Sequence, residues 1–395
     1  MKILWLASWY PNRVDAWNGD FIQRHAVAAA LYHEVHVVHV GDYQAVRATD
    51  ARIHRQGRLT EEVILYPSSR IPLLGRWINN YRFARLYRQA IRCYIQKNGT
   101  PDLVHVQVPM KAGLAALWCR RRYGVPYLVT EHYTIYNEQA PDRFRRRSPW
   151  FQYYTRKIIE RSVAFLPVSR ELGEAVNRYG IRKPFRVLPN VVDTGLFHPA
   201  EHPGTPAFVF LHVSIMVDFK NVPGILRAFC RLHAAYPHIN LRLVGPVPDD
   251  IAALARATGL LDTAIFFTGA VPYAAVAEQM QQADAFVLFS RYENAPCVIS
   301  EALCCGVPVI ASRVGGIAEM IEPGKNGLLV EPDDEAALYE SMQQALQASF
   351  NRQRIAAEAQ QRYSYPEVGR LLSRYYQEVL QLAGPQPVTA QTATP

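Results

Sequence analysis

Two glutamates stand eight residues apart around a proline in the stretch SRYENAPCVISE, residues 290–301. A carboxylate can accept hydrogen bonds from two hydroxyls of one sugar. A helix N-terminus offers free backbone N–H groups and a partial positive charge to a phosphate. Pro296 suits a first helical position and Gly306 a helix stop, so VISEALCC is expected as a helix. The preceding AFVLFS is a continuous apolar run, a buried strand ending near Ser290. Glu293 then lies in the loop at the carboxyl end of a parallel strand. Glu301 lies little more than one turn into the helix, and both can face one crevice. These parts suit a sugar-phosphate ligand such as a nucleotide sugar. A bare pair at this spacing is more often two solvated surface residues. The buried strand before it, Pro296 within it and VPVIASRVGG after it argue against that here.

Elements that could hold such a crevice run along the whole chain. KILWLAS, EVHVVHV, DLVHVQ, PYLVTEH, AFLPVS and FRVLPN read as strands, with helical stretches such as GDFIQRHAVAAALY and RELGEAVNRYG between them. HPAEHPGTPA (198–207) is rich in Pro and lacks apolar periodicity, which marks a linker. A second alternation follows, through FVFLHVS, INLRLVG, AIFFTG, AFVLFS, VPVIAS and NGLLVEP. The expected fold is α/β: two Rossmann-like, doubly wound domains facing across a cleft. The expected divisions are residues 1–197, a linker 198–207, a second domain 208–363, a C-terminal helix 364–384 packing back toward the first domain, and a disordered tail 385–395.

Composition narrows the partners. Residues 1–195 hold 30 Lys and Arg against 15 Asp and Glu, net +15; the remainder holds 13 against 19, net −6, giving the overall +9. A basic half of this size points to an anionic partner. The stretches 76–97 and 143–157 interleave that charge with Trp, Tyr and Phe, which suits an anionic lipid surface; a solvated helix face is the plainer alternative. No apolar run is long enough to span a bilayer, and the start MKILWLASWYPN reads as strand and loop rather than a signal peptide. The six cysteines contain no CxxC pair, so neither a disulfide framework nor a zinc site is expected, and a reducing cytoplasm fits. There is no G-x-G-x-x-G after a strand and no P-loop, which argues against a nicotinamide dehydrogenase and a P-loop ATPase. No helix-turn-helix, zinc or RNP pattern supports nucleic-acid binding. His36 and His39, three apart in a strand, point to opposite faces and cannot share a metal.

Nearly the whole chain resembles the retaining glycosyltransferases of family 4, which have the GT-B fold. SRYENAPCVISEALCCGVPVIASRVGGIAEMI carries their E-x7-E signature. RVLPNVVDTGLF resembles the hinge-proximal motif, with Val191 where glycine is usual. AIFFTGAVP, HVSIMVDFKN, SWYPNRVDAWNGDFIQRHA and LVTEHYTIY resemble further family segments. The resemblance implies that Glu301 binds the ribose hydroxyls and Glu293 the donor sugar. Asn294, Ala295, Pro296, Cys297 and Val298 would hold the diphosphate or sugar. Lys220, with Ser214 and Asn221 beside it, would steady the leaving group. It places His132 and Gly19 against the donor, and Asp20 and Phe21 on the acceptor side. For His132 the plain alternative is a satisfied core histidine, and for Gly315-Gly316 a tight turn. Many members carry an arginine five residues before the lysine, where this chain has Ile215. Ser214, Asn221 or a basic residue from elsewhere would have to substitute. The implied activity is metal-independent hexosyl transfer from a UDP- or GDP-linked sugar to a saccharide or lipid-linked acceptor, with no cofactor. Cell-surface polysaccharide or glycolipid synthesis at the inner face of the cytoplasmic membrane is the implied setting. A sugar-nucleotide epimerase or an inactive relative on the same fold stays open.

Overall fold

The computed structural model describes residues 1–72, 74–200 and 207–383. The expected linker falls largely, and the expected tail wholly, outside them. The N-terminal half builds β1 (Lys2–Ala7), α1 (Asp20–Ala30), β2 (Glu34–Tyr43), β3 (Asp50–Gln56), β4 (Leu59–Pro67) and α2 (Gly75–Asn98). It continues with β5 (Leu103–Gln107), α3 (Ala112–Tyr123), β6 (Tyr127–Glu131), α4 (Pro149–Arg161), β7 (Phe165–Pro167) and α5 (Arg170–Arg178). The sheet order is β3-β4-β2-β1-β5-β6-β7, parallel except for β3. Its central strands are buried on both faces, as continuous apolar runs in a parallel sheet require.

The C-terminal half contributes β8 (Phe208–Val213), α6 (Val222–Ala235), β9 (Ile239–Val244), α7 (Asp249–Ala257), β10 (Ile265–Gly269), α8 (Tyr273–Gln281) and β11 (Ala285–Leu288). It ends with α9 (Cys297–Cys304), β12 (Val309–Ser312), β13 (Gly327–Val330), α10 (Glu335–Gln347), α11 (Arg352–Tyr363) and α12 (Tyr365–Ala383). Its sheet, β10-β9-β8-β11-β12-β13, is parallel throughout. Among the described residues no helix is long and apolar enough to cross a membrane.

Two readings of the sequence need correction. FRVLPN is not a strand: Phe185 alone bridges to Phe165, and although Arg186 and Leu188 donate to the Phe165 and Pro167 carbonyls, Pro167 of β7 has no N–H to return the next ladder bond. The pair β3 and β4 was not foreseen. β3 is an edge strand exposed along nearly its whole length, so it carries no apolar alternation to read.

The last helix crosses back to the first domain. Val368, Leu372, Tyr376 and Val379 of α12 share a core with Ile3, Trp5, Ile22 and Ala26. Contact is close at Gly369, where a Cβ would stand 2.3 Å from the Ala28 carbonyl oxygen. Gly369→Ala tests this packing. On a free helix the change would stabilise by up to ~1 kcal/mol. Here it is expected to cost about 1–3 kcal/mol and lower the thermal midpoint.

Candidate functional site

Glu293 follows β11 and is nearly buried, 7 % exposed. One carboxylate oxygen accepts from the Ser290 hydroxyl at 2.9 Å and from the Lys220 ammonium. Lys220 stands in a 3-10 turn after β8 and reaches across to it. Glu301 sits on α9, 3 % exposed. It accepts from the Tyr273 hydroxyl at 2.7 Å, and the Arg24 guanidinium approaches from the other domain to 3.8 Å. Burial raises the Glu301 pKa, while Arg24 and the Tyr273 hydrogen bond pull it back.

The loop between the two carboxylates is pinned by its backbone. The Gly316 N–H donates to the Asn294 carbonyl at 2.6 Å. At Gly315, with φ of +51°, a Cβ would fall 1.8 Å from the Glu293 carbonyl oxygen, so the glycine pair is a close approach to the site loop. Asn190 donates to the Ala295 carbonyl at 2.7 Å, and Asn294 donates across the cleft to the His132 carbonyl at 2.7 Å. Pro296 caps α9 rather than opening it, a shift of one residue. A cavity of about 190 Å³ results, lined by Phe21, His132, Glu293, Asn294, Ala295 and Cys297 among others.

His132 follows β6 directly. Its Nε2 lies 3.0 Å from Gln107 Oε1, and Gln107 Nε2 lies 3.1 Å from His105 Nε2. In that network His132 carries its proton on Nε2, leaving Nδ1 as the acceptor. Burial, then the neighbouring His25 and His105, holds the ring well below the usual imidazole pKa, so it is neutral. Glu131 fixes the turn, accepting from the N–H groups of His132 and Tyr133 and from the Tyr136 hydroxyl.

Gly19 precedes α1 at φ of +70°, where a Cβ would meet the Trp9 backbone at 2.9 Å. Asp20, in the first turn of α1, holds Arg24 at 2.9 Å. Phe21 packs on the His132 ring, 4.8 Å between centroids. Val298 packs against the core behind α9. Two further residues are tied into the fold. Asn221 caps α6 through its oxygen and donates to Asp333. The Ser214 hydroxyl is engaged by His212 and the Met216 N–H. Ile215 is exposed and brings no charge. Among the described residues no group of three or more His, Cys, Asp or Glu could hold a metal ion. His36 pairs with Glu62 while His39 faces the Ala7 carbonyl.

Sequence reasoning missed Arg24, Tyr273, Asn190 and Glu319. The Glu319 carboxylate accepts from the N–H groups of Arg170 and Glu171 at 2.8 Å, capping α5 from the other domain. Arg24 had one local signal, its position four residues after Asp20 on a helix; Asn190 and Glu319 lie within the motif segments RVLPNVVDTGLF and RVGGIAEMI, and Tyr273 had no signal.

Two parallel-sheet domains closing on a cleft, with carboxylates at a strand end and on the following helix, define the GT-B architecture. Sucrose-phosphate synthase from Thermosynechococcus elongatus matches it with a TM-score of 0.77 at 19% identity, over 97% of this chain and 100% of that one. HepE from Anabaena, solved in complex with UDP, matches with a TM-score of 0.74 at 19% identity, over 96% and 100%. The family model "Glycosyl transferases group 1" covers residues 197–362 and "Glycosyltransferase Family 4" covers residues 25–196. The chain belongs to the family 4 glycosyltransferases. Among curated relatives, alpha-maltose-1-phosphate synthase of Mycolicibacterium smegmatis is 27% identical over 58% of this chain, and the match spans 64% of that relative, less than two thirds of its length.

Burial raises Glu131 from 4.5 to about 7, against the pull of its three donors. Its stabilising contribution is therefore complete below about pH 4.5 and is lost as pH rises through about 7, by up to about 3 kcal/mol. Glu131→Gln is expected to flatten that part of the profile, read by urea unfolding at about pH 5 and about pH 8.

Proposed function

We propose that the protein is a retaining, metal-independent transferase that moves a hexose from a nucleoside diphosphate sugar to a saccharide or lipid-linked saccharide. The observation that carries this is the cavity in which His132 and Phe21 of one domain face Glu293 and the start of α9 in the other. In this reading the donor diphosphate lies on the first turn of α9, its ribose hydroxyls on Glu301 and its sugar against Glu293. As the glycosidic bond breaks, negative charge grows on the diphosphate, and the α9 amides and the Lys220 ammonium stabilise it without a metal. One oxygen of Glu293 is already engaged by Ser290 and Lys220, which makes it a positioning group more readily than a nucleophile. The acceptor hydroxyl then attacks from the face the diphosphate leaves, with retention, and loses its proton to a diphosphate oxygen. His132 Nδ1 can accept a sugar hydroxyl hydrogen without taking up a charge. The UDP complex of HepE supports a UDP-linked donor, with GDP the alternative.

A second site favours an acceptor at a membrane. A groove of about 810 Å³ runs between α2, α3 and α4, floored by Phe83 and Ala115 and edged by Arg88, Arg121, Lys157 and Arg161. Among the described residues no acidic one lines it. Trp77 and Tyr81 of α2 and Trp150 and Tyr153 of α4 stand exposed. Cations around an apolar floor suit anionic headgroups with acyl chains beneath them.

Calorimetric titration of UDP, GDP and ADP in EDTA tests the donor reading. One diphosphate is expected to bind, at least tenfold more weakly in Glu301→Ala; binding of none would overturn the assignment. Flotation with phosphatidylcholine vesicles, with and without phosphatidylglycerol, tests the groove. Binding is expected only with the anionic lipid, falling with salt and in Trp77→Ser/Tyr81→Ser. Equal binding to both vesicles would dismiss the membrane reading.

A further inference from the structure

Lys220 brings a cation to the site from the C-terminal domain, but Glu293 already holds it. A nucleoside diphosphate carries more than one negative charge, and Ile215, where the family places an arginine, supplies none. The N-terminal domain presents a second cation. Arg24 leaves α1 one turn after Asp20 and crosses the cleft with its side chain only 10% exposed. Its guanidinium stands 4.9 Å from the Tyr273 ring centroid, near enough to Cys297, the first residue of α9, for its charge to favour the thiolate there. The contact with Glu301, at 3.8 Å, is an ion pair too long for a hydrogen bond. Arg24 Nε is buried with no partner at all. A buried cation with an unused donor, set beside the opening turn of a helix, is half of an anion site.

We propose that Arg24 is a donor-binding residue: its guanidinium takes the diphosphate at the start of α9, filling from the opposite domain the place that Ile215 leaves uncharged. This rests on the donor-site reading above. Arg24 balances Glu301 across the cleft. When the ribose hydroxyls occupy that carboxylate, the guanidinium turns its free donors to the phosphate oxygens, and Asp20 keeps the stem in place. Because Arg24 and α9 belong to different domains, a bound diphosphate ties the domains together.

The test titrates UDP, GDP and ADP, and the matching nucleosides, into the full-length protein and four variants: Arg24→Ala, Arg24→Lys, Ile215→Arg and Arg24→Ala/Ile215→Arg. Whichever diphosphate binds the wild type is expected to bind Arg24→Ala at least tenfold more weakly. Nucleoside affinity should be unchanged, and the added arginine at position 215 should recover most of the loss. Arg24→Lys, which keeps the charge but loses the planar fork, is expected to fall between. It carries the test with Ile215→Arg if the alanine variant does not fold. Unchanged or tighter diphosphate binding in Arg24→Ala would show that Arg24 only blocks the empty site and overturn the proposal. Equal weakening of diphosphate and nucleoside, without rescue by Ile215→Arg, would assign Arg24 to the fold and overturn it as well. A wild type that binds none of the three diphosphates overturns the donor-site reading itself, a result distinct from either.

Discussion

Two carboxylates, Glu293 and Glu301, are withdrawn from water at the seam between two domains. An isolated ionised carboxylate there would cost several kcal/mol, and much of the neighbouring construction offsets that cost. Lys220 and Ser290 answer Glu293 from within the C-terminal domain. Glu301 is answered by Tyr273 at the start of α8 and by Arg24 from the opposite domain. Neither carboxylate can be left without these partners. The protein alone thus makes the site charged and polarised.

Holding the carboxylates also requires a backbone that cannot drift. Residues 293–296 have no regular secondary structure, so side chains and glycines from elsewhere fix them. The Gly315-Gly316 pair admits the loop so closely that any side chain at 315 would strike the Glu293 carbonyl. Asn190 holds Ala295 near the crossing between domains, and Asn294 holds the His132 carbonyl across the cleft. Buried carbonyls of this kind are costly unless paired, and here the partners come from both domains.

Behind His132 a buried polar chain runs from Gln107 through His105 to the hydroxyl of Tyr376 on α12. The C-terminal helix thereby reaches the floor of the first domain, through apolar packing and through this network. Burial keeps His105 and His132 neutral, so the chain orients the His132 ring without adding charge to the cleft.

Several features were decided by residues close together in sequence. Apolar runs bounded by Pro and Gly are enough to specify buried parallel strands, and Pro296 and Gly306 bracket α9 within one residue. From those elements the placement of Glu293 at a strand end and of Glu301 on the helix that follows it can be read, because a strand end and the next helix start are neighbours by geometry. Local patterning was silent where burial is absent, as in β3, and misleading at FRVLPN, where apolar residues alternate but Pro167 on the neighbouring strand interrupts the ladder. It gave no hint that the polar atoms of Asn221 and Ser214 serve a helix cap and a turn. Only the tertiary structure could bring Arg24 to Glu301, Tyr273 to the same carboxylate and Asn294 to His132. Those partners lie dozens to hundreds of residues apart, and a charge's meaning depends on which opposite charge the fold leaves within a few ångströms of it.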